Sequence, residues 1–252
     1  MMATKARPLL VAASVTDVGR VRDHNEDACL VDTEHGLFVV SDGMGGQQAG
    51  ALASQVVVKV LPRLIRQRIA RLRRPTSERI QQVLRDAIVE LSQHLHQEST
   101  SQLGLKGMGA TVVVALARGR CVHIAHMGDS RAYLFRKGNL TQLTEDHSVV
   151  GILLRSGQIT PKEAKTHPAR SQLSRYVGME SEVYPDMRSM GLVKGDRLLL
   201  CTDGLTGMVS DAKIAAVLKE HPDPQEACQS LVDAANKAGG TDNITVVMVN
   251  WR

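Results

Sequence analysis

Aromatic side chains are almost missing from this chain: one Trp, three Tyr and two Phe in 252 residues. Proteins that read single-stranded nucleic acid by stacking on its bases need such rings at intervals, so a nucleic-acid partner is not expected. The core must instead be assembled from Val, Leu, Ile, Ala and Met. Cysteine is equally sparse. Cys29, Cys121, Cys201 and Cys228 stand far apart, with no Cys-x-x-Cys pair and no dense disulfide framework, which suits a reducing compartment and predicts a cytoplasmic protein. Long apolar runs are absent too. Leu9-Leu10-Val11-Ala12-Ala13, behind Lys5 and Arg7, is too short for a signal-peptide core and runs on to Thr16-Asp17, so it reads as a strand. No other segment approaches the roughly 18 apolar residues of a membrane helix.

Familiar phosphate and nucleophile motifs are also missing. Gly43-Met44-Gly45-Gly46 falls short of a Gly-x-Gly-x-x-Gly loop because Gln48 holds the sixth place, and there is no Walker lysine. None of the four cysteines is followed six residues later by arginine, which excludes a cysteine-phosphatase loop. Gly128-Asp129-Ser130-Arg131-Ala132 lacks the last glycine of a nucleophile elbow and leads into a strand where an elbow leads into a helix, so Ser130 reads as a turn residue.

What is present is an ordinary globular balance, 43% hydrophobic and 23% charged, at a length that suits one domain over 1–252. Much of the net charge of +5 comes from Arg63, Arg66, Arg68, Arg71, Arg73 and Arg74. That stretch reads as a solvated helix end and loop rather than as a docking patch. Apolar runs at Leu9 to Val15, Ala28 to Val31, Leu37 to Val40, Thr111 to Ala117, Val122 to Ala125, Ala132 to Phe135, Arg197 to Cys201 and Ile244 to Val249 predict strands. The short links Arg118-Gly119-Arg120 and Lys137-Gly138-Asn139 make their neighbours antiparallel.

Leu52, Val56, Val60 and Leu64 predict one long helix. Ile80, Val83, Leu84, Ala87, Ile88, Leu91 and Leu95, after a Thr76 or Ser77 cap, predict another, and further helices are expected over 212–218 and 224–238. Amphipathic helices flanking antiparallel strands make an α+β fold, a four-layer α-β-β-α sandwich with two mostly antiparallel sheets. The stretch 149–178, broken by Gly151, Gly157, Pro161 and Pro168, is expected to form a flap.

Five acidic stretches are set against this framework: Asn25-Glu26-Asp27, Asp42-Gly43, Gly128-Asp129, Asp203-Gly204 and Asp242-Asn243. Most adjoin a predicted strand, so the fold would gather carboxylates at strand ends. Gathered without cations of their own, they repel, and hard oxygen ligands select Mg²⁺ or Mn²⁺. Two such ions sharing a water can aim it at phosphorus, so phosphoester hydrolysis needs no side-chain nucleophile. Arg22, just ahead of Glu26-Asp27, is the expected fork for the phosphoryl oxygens.

The run Thr16-Asp17-Val18-Gly19-Arg20-Val21-Arg22 with Asn25-Glu26-Asp27, then Asp42-Gly43-Met44-Gly45-Gly46, Gly128-Asp129-Ser130-Arg131-Ala132-Tyr133, Thr202-Asp203-Gly204-Leu205 and Asp242-Asn243-Ile244-Thr245, closely resembles the metal-dependent PPM-type (protein phosphatase 2C-like) serine/threonine phosphatases in their short bacterial form. Gly157 to Pro161 and His167 to Arg170 resemble that family's flap.

The resemblance implies a phosphatase that reverses a cognate serine/threonine kinase on phosphorylated proteins, as a monomer, with two Mn²⁺ or Mg²⁺ ions and a weaker third. It implies that Asp42 bridges two ions and their shared water, that the Gly43 carbonyl completes one ion, and that Asp203 and Asp242 hold the other. Asp129 with Asp203 would form the third site, Glu26 and Asp27 would orient coordinated waters, and Arg22 would grip the phosphate. Met44 stands where animal members carry a histidine proposed as general acid, so the proton donor stays open. Two other readings use the same fold: a catalytically silent regulator that binds a phosphoprotein or kinase, and a stress phosphatase acting on an anti-sigma-factor antagonist.

Overall fold

The computed structural model describes residues 10–73, 75–182 and 184–252. Lys5, Arg7 and Leu9 of the first apolar run and Arg74 of the basic stretch lie outside them. In chain order the strands are β1 (Leu10–Asp17), β2 (Asp27–Asp32), β3 (Leu37–Met44), β4 (Gly109–Ala110), β5 (Val112–Arg118), β6 (Cys121–Met127), β7 (Arg131–Arg136), β8 (Asn139–Gln142), β9 (Asp186–Gly191), β10 (Arg197–Cys201) and β11 (Ile244–Trp251). The α-helices are α1 (Gln47–Ala70), α2 (Ser77–Ser101), α3 (Val149–Arg155), α4 (Pro161–Ala164), α5 (Asp203–Thr206), α6 (Asp211–Glu220) and α7 (Pro224–Lys237).

The strands form two antiparallel sheets, one ordered β1-β11-β10-β7-β8 and the other β2-β3-β5-β6-β9 with β4 on the end of β3. In the turn between β7 and β8, Lys137 and Gly138 both take positive φ, 52° and 83°. This two-residue left-handed turn matches the twist of a hairpin. Helices α1 and α2 cover the second sheet, while α6 and α7 cover the first. Three apolar layers result: one under α1 and α2, one under α6 and α7, and one between the sheets that holds Phe38, Val40, Ile124, Leu200 and Val247. This is the α-β-β-α sandwich the sequence predicted.

Every residue of the α2 stripe is buried, and Thr76 Oγ1 caps the helix by accepting from the Arg79 N–H. The α1 expectation is off by one residue. The deeply buried row is Ala53, Val57, Leu61 and Ile65, whereas Val56, Val60 and Leu64 are partly buried beside it and Leu52 is exposed. Two adjacent i+4 rows are both apolar because α1 packs on the sheet and on α2 at once, and the pattern alone does not say which row points inward. Strand β9 was not anticipated: Asp-Met-Arg-Ser-Met-Gly is half polar, as befits an edge strand with one covered face.

The 149–178 stretch holds α3 and α4, the latter closed by a Thr160/Glu163 capping box. In the basic stretch, Arg66 donates to Asp32 at 2.9 Å and Arg68 pairs with Glu90, so part of its charge is neutralised internally. Among the described residues no helix is long and apolar enough to cross a membrane.

Candidate metal centre

Carboxylates from both sheets meet at one end of the sandwich because of strand register. Cys201 at the end of β10 pairs with Arg131 on one side and Val246 on the other. The residues just after β10, just before β7 and just before β11 therefore share one edge, and these are Asp203, Asp129 and Asp242. In the facing sheet, Asp42 lies directly across the ladder from Asp27. Side chains alternate along a strand. Phe38 and Val40 enter the layer between the sheets while Val39 packs under the helices, so Asp42 and Met44 point into the same inter-sheet opening. Gly43 points the other way, where a Cβ would lie 1.9 Å from the Gly50 carbonyl oxygen; only glycine lets α1 approach so closely.

Hydroxyls and amides fix the cluster from behind, Asp27 through its carboxylate and Asp42 and Glu26 through their backbone. The Thr202 hydroxyl donates to Asp27 Oδ2 at 2.8 Å and accepts from the Thr245 N–H at 3.0 Å. The Asp42 N–H donates to Thr111 Oγ1 at 2.9 Å, and that hydroxyl shares a 2.7 Å hydrogen bond with Ser130. Asn243 ties the rim together: its Oδ1 accepts from the Glu26 N–H, and its Nδ2 donates to the carbonyls of Val18 and His24.

Burial is the dominant electrostatic fact here. It pushes Asp27 up to about 7, with the Asp203 and Asp242 charges adding to it against hydrogen bonds from Thr245 and Thr202. Asp129 is pushed up to about 8, first by burial and then by Asp203 and Asp146. Asp203 rises to about 6 through burial and Asp242, although a hydrogen bond with Asp42 works the other way. Asp42 is held well above the usual carboxylate range by burial and by Asp27, Asp203, Asp129 and Asp242 in turn. Without a counter-charge, this cluster keeps protons at neutral pH.

Two of its oxygens, Asp27 Oδ1 and Asp203 Oδ1, are buried with no hydrogen-bond partner among the described residues. Unpartnered buried carboxylate oxygens in an all-oxygen donor set suit a hard divalent ion.

The remaining predicted residues lie at the rim. Arg22 donates to Asp242 Oδ2 at 2.8 Å, with side chains 52% and 36% exposed, so the guanidinium remains within reach of a ligand from solvent. The Glu26 carboxylate lies against the first turns of α1, where a Cβ on Gly50 would meet its Oε2 at 1.9 Å, and burial raises its pKa.

Arg131 and its partner Asp146 were not anticipated as part of the site. They form a two-pronged pair at 2.8 and 2.6 Å, which fixes a cation beside Asp129 and Asp203. Arg131 itself lies in the Gly128-to-Tyr133 motif, but nothing local marks Asp146, fifteen residues away along the chain, as its partner.

A second group, His126, His147 and Asp186, is compact enough to suggest a metal ligand set. Its geometry argues otherwise. The two imidazoles are stacked, with centroids 4.5 Å apart and planes at 19°, so their in-plane lone pairs run side by side instead of converging. His147 Nδ1 accepts from the Gly128 N–H and Nε2 faces Asp186, which Arg175 already neutralises at 2.7 Å. This group clamps the ends of the 149–178 segment to the turn that carries Asp129.

A family model described as Protein phosphatase 2C matches residues 19–237. The chain is 40% identical over 237 residues to the serine/threonine phosphatase stp of Listeria welshimeri, covering 93% of each. Its fold is similar to that of the S. agalactiae serine/threonine phosphatase, with a TM-score of 0.88 at 32% identity over 97% of this chain and 100% of that one. It is also similar to the catalytic domain of the phosphatase PstP solved with two manganese ions, with a TM-score of 0.78 at 34% identity over 96% and 97% of the two chains.

Proposed function

The chain belongs to the protein phosphatase 2C family and is a metal-dependent protein serine/threonine phosphatase, and from that premise we propose that the inter-sheet carboxylate cluster is its catalytic centre. The observation that carries this reading is the convergence of Asp27, which is buried, with the half-buried Asp42, Asp129 and Asp203, all four with raised pKa values.

Asp42, the Gly43 carbonyl, Asp203 and Asp242 would hold two Mn²⁺ or Mg²⁺ ions, and Asp129 with Asp203 a weaker third. Glu26 and Asp27 would orient water around them. Bound there, the ions supply Lewis acidity, which offsets phosphoryl charge and makes water nucleophilic near neutral pH.

The chain's own side chains set the remaining geometry. Arg22 offers its planar fork to the phosphoryl oxygens from the exposed rim, and Asp242 holds that fork in place. Asn243 fixes the backbone of the Arg22-to-Glu26 loop against β11, which keeps Arg22 at a constant offset from the cluster. Thr202 orients the Asp27 carboxylate and Thr111 fixes the Asp42 backbone, which limits how far these two acids reorganise as charge moves. In the net reaction the water oxygen bonds to phosphorus as the ester P–O bond breaks, and the serine or threonine leaves protonated.

The substrates are phosphoproteins. We further infer that they are products of a cognate serine/threonine kinase, and that the protein acts as a monomer in the cytoplasm, in keeping with its four free cysteines. A silent regulator would have no need of a complete carboxylate set, so that alternative is set aside. The reading is tested on a phosphothreonine peptide: hydrolysis should stop in EDTA, return with Mn²⁺ and be lost in Asp203→Asn. Full turnover by that variant would refute it.

A further inference from the structure

Beside the carboxylates, the same inter-sheet face carries an apolar wall built from three chain segments. Met44 pairs with Gly109 at the junction of β3 and β4, and Ala110 in turn bridges to Val177 at the end of the 149–178 segment. The Ala110–Val177 link is a full antiparallel exchange, Ala110 N–H to Val177 O at 3.0 Å and Val177 N–H to Ala110 O at 2.8 Å. Ala110 and Val177 both point into the core under α1 and α2. By alternation Met44, Gly109 and Tyr176 then point the opposite way, toward the opening that receives Asp42.

The close contacts agree. A Cβ on Gly109 would meet Tyr176 Cδ2 at 2.7 Å, Tyr176 Cε2 at 2.8 Å and Met44 Cε at 3.1 Å. The tyrosine ring therefore lies over Gly109 with the Met44 methyl beside it, and both Met44 and Tyr176 stay partly exposed. Neither is needed to fill the core, and neither is a metal ligand.

We propose that Tyr176 and Met44 form the wall against which the alcohol part of the phosphoester rests, which makes Tyr176 a specificity-determining residue. This rests on the assignment of the carboxylate cluster as the phosphatase site. A substrate held by Arg22 on one side of Asp42 must place its ester carbon on another side, and the ring and thioether methyl offer an apolar surface there, two residues along β3 from Asp42, whereas the exposed Val18 and Val21 lie on the Arg22 loop. Phosphothreonine carries at that carbon a methyl that phosphoserine lacks. A ring and a methyl are suited to cover such a group, and one buried methyl corresponds to about fourfold in a rate ratio.

The test compares Mn²⁺-loaded wild-type protein, Tyr176→Ala and Tyr176→Phe on phosphothreonine and phosphoserine versions of one peptide competing in a single reaction. Tyr176→Ala should lower the threonine-to-serine ratio of kcat/KM by about fourfold, and Tyr176→Phe, which keeps the ring, should leave it unchanged. Because the ratio is taken within one preparation, partial misfolding cancels. An unaltered ratio in Tyr176→Ala, or an equal shift in Tyr176→Phe, overturns the proposal. Arg22→Ala should slow both peptides alike; if it slows neither, the fault lies with the site assignment and not with the wall.

Discussion

Asp27 and Asp42 face each other across the β2–β3 ladder, two acids paired at a register position where neighbouring side chains are forced together. Like charges at that spacing repel; Asp27 is buried, Asp42 half-buried, and both have raised pKa values. The metal-free fold therefore stores its cluster partly protonated, and cations take the place of those protons on binding.

This sets the pH dependence of metal-free stability. Folded Asp203, Asp27 and Asp129 titrate near 6, 7 and 8, against an ordinary aspartate value of 3.8. Between those limits the native state binds more protons than the unfolded chain, so stability is fully present at acid pH and falls as pH rises through the folded values. In EDTA, Tm should drop steadily from pH 5.5 to pH 8.5, and saturating Mn²⁺ should flatten the decline. A metal-free Tm that climbs over this range would contradict the burial argument.

Asp27→Asn separates charge from shape. The amide oxygen can still accept from Thr202, but one negative charge leaves the cluster. Metal-free Tm at pH 8 should rise, while Mn²⁺ affinity or activity falls by about 10- to 100-fold. Scanning calorimetry and a Mn²⁺ titration on one preparation would show whether the two move in opposite directions.

Arg22 should matter for catalysis and little for folding. Its pair with Asp242 is largely exposed, and such pairs contribute about 0–1 kcal/mol. Arg22→Ala should leave the urea midpoint nearly unchanged and lower kcat/KM by about a hundredfold, as expected for loss of a charge-assisted phosphate contact. Arg22→Lys should recover only part, because a point charge lacks the planar fork. A large stability loss with normal kinetics would make Arg22 structural instead.

Much of this was legible in the sequence because two short-range signals agree. Apolar runs gave the strand positions, and an acid at or beside so many strand ends gave the cluster. Its polar backing was not legible. Nothing local marks Thr202 as the donor to Asp27 or Asn243 as the tie between the Glu26 loop and β11, since these pairs are 175 and 217 residues apart along the chain. Strand β9 was missed because an edge strand needs only half an apolar pattern. The inward row of α1 was misplaced because two adjacent rows are apolar and only the packed partner chooses between them.

If Asp42 and its neighbours hold the catalytic ions, removing the Asp42 charge must change the number of ions bound. Counting Mn²⁺ bound at pH 7.5 by calorimetry, in wild-type protein and in Asp42→Asn, addresses it most directly, with turnover of a phosphothreonine peptide measured on the same samples. The wild-type chain should bind two ions with a weaker third, and the variant should lose at least one of the tight pair and slow by at least about a hundredfold. An Asp42→Asn protein that keeps the wild-type ion count and rate would place the catalytic ions elsewhere.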